Sequence, residues 1–244
     1  MLTRSRRALA FPELPTIAVG GAIIAIAAAL VILPPLYSAI LLAGAVVATL
    51  VVVRPIWGFY LLLLSIPIQD LGAVGELTAT NVIFALTLVA WLARRLAFGG
   101  KPLPQSVVGP FFVIFVCGLA LSLIVAQDIA PGIAALFQWV KALAVYFLAL
   151  DFLRTRRQAF VALASLLAAG AAEGAVGLFQ YVTGVGPASF AIGDQFSRAF
   201  GTFGRPNSYA GYLEMLFPLG LALCYLAFAQ WRRGERASGR AGEG

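Results

Sequence analysis

Long apolar runs recur along the whole chain, and they restrict its fold more than any other feature. Most are long enough to cross a hydrocarbon core of about 30 Å as a helix. A soluble domain is excluded, because 61% of the residues are hydrophobic and only 11% are charged, against about half and a quarter in soluble domains. The sequence predicts an all-α, polytopic transmembrane helix bundle with eight spans, at residues 16–33, 36–53, 57–68, 81–98, 107–125, 132–150, 158–178 and 208–229.

The distribution of basic residues predicts how these spans are oriented. Lysine and arginine are enriched in the cytoplasmic loops of membrane proteins. With eight crossings, including the short third one, all but Lys141, Arg198 and Arg205 of the 17 basic residues fall on one side. We therefore expect both chain ends in the cytoplasm. The predicted organisation is a basic N-terminus at 1–15, a transmembrane domain at 16–229 and a disordered polar tail at 230–244.

The composition also limits the chemistry that the chain can perform. Its net charge of +7 is explained by arginine-rich cytoplasmic loops, so it does not indicate nucleic acid as a partner. The sequence contains no histidine, and Cys117 and Cys224 lie in apolar runs without the spacing of metal ligands. We expect neither a metal nor a cofactor.

The predicted outer segment at 180–207 contains two arginines, although basic residues are disfavoured on that side. The guanidinium groups of Arg198 and Arg205 stay charged and can bind phosphate oxygens with two parallel hydrogen bonds. Asn207 is a candidate N-cap of the last helix, whose first amides also favour an anion. The pattern favours a pyrophosphate site at the outer membrane surface. The alternative is that both arginines are solvated loop residues.

Three ionisable side chains are predicted to lie within the spans: Lys141, Glu173 and Glu214. A charge near the bilayer centre costs a few kcal/mol, so such residues usually face a partner or a wet cavity. One interpretation is an ion pair between Lys141 and either Glu173 or Glu214. Another is a polar, outward-facing cavity that continues to Arg198 and Arg205. The two interpretations are compatible.

The sequence "SRAFGTFGRPNSYAGYLEMLFPLGLAL", which begins at Ser197 and follows "YVTGVG", resembles the O-antigen ligase / O-antigen polymerase-like superfamily of bacterial envelope proteins. Its members typically carry a phrase of the form R-x-x-G-T-F-x-x-P-N-x-x-A before an apolar helix. The matching residues here are Arg198, Gly201, Thr202, Phe203, Pro206, Asn207 and Ala210. The segments "GLFQYVTG" at 177–184 and "RPIWGFYLLLLSIP" at 54–67 are also similar to parts of the family.

This resemblance implies a glycan transferase of the bacterial inner membrane with a GT-C-like helical fold and no metal. Its donor would be a glycan on undecaprenyl diphosphate, which is passed to a glycan or lipid acceptor at the outer face of the membrane. The resemblance assigns diphosphate binding to Arg198. The expected substrate-binding roles of Arg205, Asn207 and Lys141 come from the residue types and positions alone.

The chain departs from this family in its length and in its lack of histidine. Family members have more spans and a large outer loop, which brings a further arginine and a histidine proposed to activate the acceptor hydroxyl. A base in this chain would have to be a carboxylate, and Glu173 and Glu214 are the candidates. We expect instead that the sequence is the N-terminal part of a longer protein.

Two functions of other classes stay open on the sequence alone. A transporter of a small anion or other solute would use Lys141, Glu173 and Glu214 as a site near the membrane midplane. The sequence lacks the matching pairs of Gly- and Pro-broken helices that many transporters place in their two halves. A non-catalytic membrane scaffold is the other alternative.

Overall fold

The computed structural model describes residues 34–69, 78–99, 102–192 and 196–241. The elements in chain order are helices α1 (Pro35–Val53), α2 (Pro55–Ser65), α3 (Ala79–Phe98), α4 (Val108–Ser122), α5 (Ile129–Phe152) and α6 (Arg156–Thr183), strands β1 (Ala191–Ile192) and β2 (Phe196–Ser197), and helix α7 (Pro206–Ala241). Short 3₁₀ turns follow α4 (Leu123–Val125) and precede β1 (Ala188–Phe190). The predicted helical class is confirmed for this part of the chain. The predicted N-terminus 1–15 and first span 16–33 lie outside the described residues.

Six helices in the described part are long and apolar enough to cross a membrane: α1, α3, α4 with its 3₁₀ turn, α5, α6 and the portion Pro206–Arg232 of α7. Large apolar side chains such as Phe111, Ile124 and Phe160 remain exposed on these helices. Exposed apolar surface on this scale is typical of helices that contact lipid. The chain is therefore a multi-pass membrane protein. The total of eight spans and the side on which each end lies stay predictions.

Helix boundaries coincide with capping residues and prolines. The Thr78 hydroxyl accepts a hydrogen bond from Asn81 N at the start of α3, and the Asp128 carboxylate accepts one from Ala130 N at the start of α5. Thr155 forms a capping box at the start of α6. Such side chains satisfy amides that have no partner inside the helix. Helices α1, α2 and α7 each begin with a proline, a residue favoured in the first turn.

The third predicted span, 57–68, is a short helix as expected, but it begins and ends two to three residues earlier, at Pro55 and Ser65. Helix α2 has 11 residues, or about 16 Å at 1.5 Å per residue, roughly half of a hydrocarbon core of about 30 Å. The residues that flank and end α2 nevertheless contact opposite ends of α3. The carbonyl of Val53, two residues before α2, accepts a hydrogen bond from Arg94, and the carbonyl of Ser65, the last residue of α2, accepts one from the Thr80 hydroxyl at 2.9 Å. The helix ends before Pro67, which cannot donate a helical hydrogen bond.

The chain forms two compact units that divide within α1 after Thr49, and the second unit runs from Leu50 onward. Helix α2 is the most buried element of this unit and packs against α3 and α6. The core combines α2 with α5 and α6, through Phe59, Tyr60, Leu63, Leu148 and Ala162. Seven of the 11 residues of α2 are buried, whereas Trp57 and Leu64, near its two ends, are exposed.

Helices α2 and α3 approach closely at Gly58. A Cβ atom at Gly58 would overlap the hydroxyl of the buried Thr87 and lie 2.8 Å from Val51 Cγ1. The Thr87 hydroxyl cannot easily move, because it donates to the Ile83 carbonyl at 2.7 Å. This contact fixes the distance between α2 and the neighbouring helices.

We expect Gly58→Ala to destabilise the bundle by about 1–3 kcal/mol, the usual cost of overpacking a filled interior. Thermal unfolding of the purified protein in detergent measures this as a lower Tm. Gly118→Ala in α4 is the matched control, because nothing lies within 4 Å of its added Cβ atom. Equal Tm values for the two variants would contradict the close approach at Gly58.

The polar tail predicted to be disordered is helical through Ala241, because α7 continues for 36 residues. Residues 230–241 therefore continue α7, whereas the cytoplasmic position of the tail stays a prediction and 242–244 lie outside the described residues. The physical reason is that Arg, Glu and Ala have high helix propensity. Adding them to a helix that is already formed avoids the cost of nucleation.

Candidate functional site

The first four residues that match the family phrase, Arg198, Gly201, Thr202 and Phe203, lie in a loop between β2 and α7, and the others lie in the first turns of α7. We name this loop, residues 198–205, the motif loop. Strand β1 pairs antiparallel with β2, with Ala191 opposite Ser197. Arg198 N donates to the Phe190 carbonyl at 2.9 Å. The rings of Phe190 and Phe200 lie 5.4 Å apart. The hairpin therefore fixes the point at which the chain enters the loop.

The side-chain amide of Gln180 in α6 holds the centre of the motif loop. Its oxygen accepts hydrogen bonds from Phe200 N at 3.0 Å and Gly201 N at 2.8 Å, and its nitrogen donates to the Gly201 carbonyl at 2.9 Å. Gln180 is buried. One side chain thus satisfies three backbone groups, and buried backbone groups need such partners.

Glu173 lies about two turns before Gln180 on the same face of α6 and holds the next residue of the loop. Its Oε2 accepts from Thr202 N at 3.1 Å, and its Oε1 lies 2.7 Å from the Thr202 hydroxyl. That hydroxyl also lies within hydrogen-bond reach of the Pro67 carbonyl. Glu173 is only 3% exposed. Both carboxylate oxygens are therefore engaged in positioning the loop.

Two glycines of the motif loop have positive φ angles, +57° at Gly201 and +65° at Gly204. At Gly201 a Cβ atom would also overlap Glu173 Oε2 and lie 2.8 Å from Tyr209 Cε2. The hydroxyl of Tyr209 donates to the Glu173 carbonyl at 3.3 Å and covers Gly177 of α6. The loop backbone, α6 and the first turn of α7 are thereby packed together.

The exposed side chains of the motif loop include two positive charges. Arg198 is exposed, and its Nη2 donates to Asn207 Oδ1 at 2.8 Å. Arg205 is exposed immediately before α7, and the described residues give its side chain no polar partner. The first amides of α7 also have no partner inside the helix. Two guanidinium groups and the start of a helix therefore border the same loop.

The structure corrects the role predicted for Asn207. Helix α7 begins at Pro206, so Asn207 lies in its first turn and not at the N-cap. Its side-chain oxygen accepts from Arg198, so it is not used to cap the helix. Pro206 needs no cap for its own nitrogen, which carries no hydrogen. Asn207 instead orients the guanidinium of Arg198.

Lys141 lies apart from the motif loop and from both glutamates. Its Nζ is 3.4 Å from Asn81 Oδ1 and 5.2 Å from the centre of the Phe137 ring. It lines a largely apolar cavity of about 640 Å³ between α3 and α5. The described residues show no ion pair between Lys141 and either Glu173 or Glu214, and Glu214 is exposed on α7. Neither Glu173 nor Glu214 lines the cavity that Lys141 borders.

Sequence reasoning missed Gln180, Thr202 and Tyr209 as residues that hold the loop in place. The pairing of Gln180 with Glu173 on one face of an apolar helix is a signal that could have indicated a shared buried partner. Thr202 and Tyr209 gave no comparable signal, since hydroxyl and aromatic residues are common at membrane helix ends. No group of three or more metal-ligating side chains is found among the residues that the structure describes.

We expect Glu173→Gln to keep the motif loop folded and Glu173→Ala to release it. A glutamine can accept from Thr202 N and donate to the Thr202 hydroxyl oxygen, which leaves that hydroxyl free to donate to Pro67. An alanine leaves the backbone N–H of Thr202 without a hydrogen-bond acceptor and removes one partner of its hydroxyl. Each unsatisfied buried group lowers the stability by about 1–3 kcal/mol. Hydrogen exchange of the loop amides and the Tm of each variant measure the difference. Equal loss of protection in both variants would contradict a positioning role for Glu173.

The candidate site thus has a buried layer that fixes the loop backbone, formed by Glu173, Gln180 and Tyr209, and an exposed layer that carries Arg198 and Arg205. Comparison of the chain with models of protein families, with curated proteins and with solved structures finds no match.

Proposed function

We propose that the chain belongs to the O-antigen ligase-like glycan transferases and that its motif loop binds the diphosphate of an undecaprenyl-diphosphate-linked glycan. One observation carries the proposal. Glu173 and Gln180 hold the backbone of the loop by hydrogen bonds, while the side chains of Arg198 and Arg205 remain exposed. A loop that is rigid before a ligand arrives loses less conformational freedom on binding.

The chemistry of the exposed layer suits a diphosphate. A guanidinium has five N–H donors in a planar fork, and Arg198 uses one nitrogen for Asn207. Its remaining donors can bind phosphate oxygens in pairs. The start of α7 adds a favourable partial positive charge. Arg205 stands directly before that start, so both arginines and the helix would share one doubly charged ligand.

The surface beside the motif loop offers a place for a lipid chain. At the C-terminal end of α6, Leu178, Phe179 and Val182 are all exposed. These side chains lie within the last two turns of a helix that is long and apolar enough to span the membrane. A prenyl chain could lie along this apolar face while its diphosphate reaches the loop. The site therefore fits a ligand that is both anionic and lipid-linked.

In such a transferase the acceptor hydroxyl oxygen forms a bond to the anomeric carbon of the sugar, and the bond from that carbon to the diphosphate breaks. The diphosphate leaves with the bonding electrons, and arginine charge stabilises it. The resemblance assigns the acceptor's proton to a histidine, which this sequence lacks. Glu173 is engaged by Thr202, which leaves the exposed Glu214 as the candidate carboxylate. Our proposal for the described residues therefore centres on donor binding.

Binding of a headgroup series to the purified protein in detergent tests the proposal. We expect farnesyl diphosphate to bind most tightly, farnesyl monophosphate less tightly and farnesol least. Each lost charge-assisted contact is worth about 1.5–3 kcal/mol, or roughly tenfold or more in Kd. Inorganic pyrophosphate should compete with farnesyl diphosphate. Equal affinities for farnesyl diphosphate and farnesol would contradict the proposal.

The transporter alternative finds no support in the geometry of the described residues. It required Lys141, Glu173 and Glu214 to share a site, whereas Lys141 contacts Asn81 and Glu173 contacts Thr202.

A further inference from the structure

We propose that a second anion site lies at the opposite end of the bundle and binds a phosphate group, such as that of an anionic phospholipid. The site is a cleft of about 450 Å³, and we name it the arginine cleft. Its lining includes Arg54, Arg94, Arg95, Trp91, Phe98 and Asp151. This inference is independent of the function proposed for the motif loop.

The ends of four helices form the arginine cleft. Helix α2 begins there at Pro55, α3 ends there at Phe98, α5 ends there at Phe152, and Gln158 of α6 completes the lining. Gln158 and Glu173 are separated by about 22 Å along α6 at 1.5 Å per residue. The cleft is therefore distinct from the motif loop, and it lies at the end of the bundle that the positive-inside rule predicts to face the cytoplasm.

The hydrogen bonds of Asp151 leave the cleft with excess positive charge. Asp151 Oδ2 accepts from Trp91 Nε1 at 2.7 Å and from Arg95 Nη1 at 2.9 Å, and Oδ1 accepts from Arg154. Both oxygens of Asp151, the one carboxylate that lines the cleft, are thus hydrogen-bonded to Arg95 and Arg154, so they do not neutralise Arg54 or Arg94. Arg54 receives no compensating carboxylate from the described residues.

The two remaining arginines of the cleft are available to a ligand. Arg54 is exposed, and its side chain has no polar partner within the described part of the chain. One guanidinium nitrogen of Arg94 donates a hydrogen bond to the Val53 carbonyl, so its other N–H groups remain available to a ligand. The start of α2 lies beside them at Pro55 and contributes the positive end of a helix dipole. Guanidinium donors and a helix start are both suited to phosphate oxygens.

Apolar side chains in the same cleft indicate that the phosphate would belong to a lipid. Ile56 and Trp91 line the cleft beside the arginines, and Phe98 in its lining is 80% exposed. A position at the ends of membrane-spanning helices is where phospholipid headgroups lie. Basic pockets between such helices recognise anionic headgroups by the same chemistry. A soluble phosphate anion could use the arginines alone, without the apolar lining.

The test compares the wild type with Arg54→Gln, with Arg54→Gln/Arg94→Gln and with the control Arg156→Gln/Arg157→Gln. The control residues are exposed at the same end of the bundle but do not line the cleft. Each protein is placed in nanodiscs of phosphatidylcholine, with or without phosphatidylglycerol, and its Tm is measured. Native mass spectrometry counts the retained phosphatidylglycerol. A second arm adds inorganic phosphate to protein in detergent, against chloride at equal ionic strength.

We expect phosphatidylglycerol to raise the Tm of the wild type and the control, as a ligand of the folded state does. The rise should shrink in Arg54→Gln and vanish in the double variant, together with the retained lipid. The same pattern with inorganic phosphate alone would support the phosphate site and assign it to a soluble anion. Equal responses of the control and the cleft variants, or no response in any protein, would overturn the proposal. Tm values in phosphatidylcholine alone verify that each variant is folded.

Discussion

We expect Gly201→Ala to disrupt the motif loop and to remove most of its affinity for a prenyl diphosphate. Two costs add at this position. The φ of +57° costs a non-glycine residue about 1–2 kcal/mol, and overlap of the new Cβ atom with Glu173 and Tyr209 costs about 1–3 kcal/mol more. Hydrogen exchange of amides 198–205 and the Kd for farnesyl diphosphate measure the outcome.

Gly204→Ala separates the two costs. Gly204 has a similar φ of +65°, but nothing lies within 4 Å of an added Cβ atom. We expect it to show only the backbone cost, with a smaller increase in hydrogen exchange. If Gly201→Ala and Gly204→Ala behave alike, the packing of Gly201 against Glu173 and Tyr209 does not hold the loop in its place.

The second large effect concerns the exposed arginines. We expect Arg198→Ala/Arg205→Ala to weaken farnesyl diphosphate binding about a hundredfold or more while the Tm stays within a degree or two of the wild type. Two charge-assisted contacts at about 1.5–3 kcal/mol each account for this loss. The Tm should hold because both side chains are exposed, and substitutions of exposed residues usually cost little stability.

Arg156→Ala/Arg157→Ala is the matched control for this binding measurement. It removes two positive charges, as the test variant does, but from exposed positions at the start of α6, whereas the motif loop contacts the C-terminal half of that helix. Its Kd should equal that of the wild type. Arg198→Lys adds a further comparison, because lysine retains the charge but loses the planar fork. A double variant Arg198→Ala/Arg205→Ala that binds as tightly as the control would exclude the motif loop as the diphosphate site.

The helical architecture was predictable because membrane crossing requires long apolar runs. Helices α3, α5 and α6 lie close to the predicted spans, with starts marked by Thr78, Asp128 and Thr155. The short α2 was harder to predict. Most of its residues are buried against α3, α5 and α6, although Trp57 and Leu64 are exposed, and hydropathy does not distinguish a protein interior from a bilayer.

The partners of the charged residues were not predictable from depth along a helix. Glu173 and Lys141 were both expected to need a partner, and the sequence offered each as the partner of the other. The structure instead pairs Glu173 with the backbone and hydroxyl of Thr202, and Lys141 with Asn81. These pairs depend on the path of the motif loop and on which helix faces meet. Neither is encoded in residue spacing within one helix.

Photo-crosslinking tests the central claim, that the motif loop binds the diphosphate of a lipid-linked donor, most directly. The probe is a prenyl diphosphate with a photoreactive group in its first isoprene unit, and mass spectrometry locates the modified peptides. The account predicts labelling of residues 198–212 and of the exposed end of α6 near Phe179, with competition by inorganic pyrophosphate. Labelling confined to the arginine cleft, near Phe98 and Gln158, would contradict it.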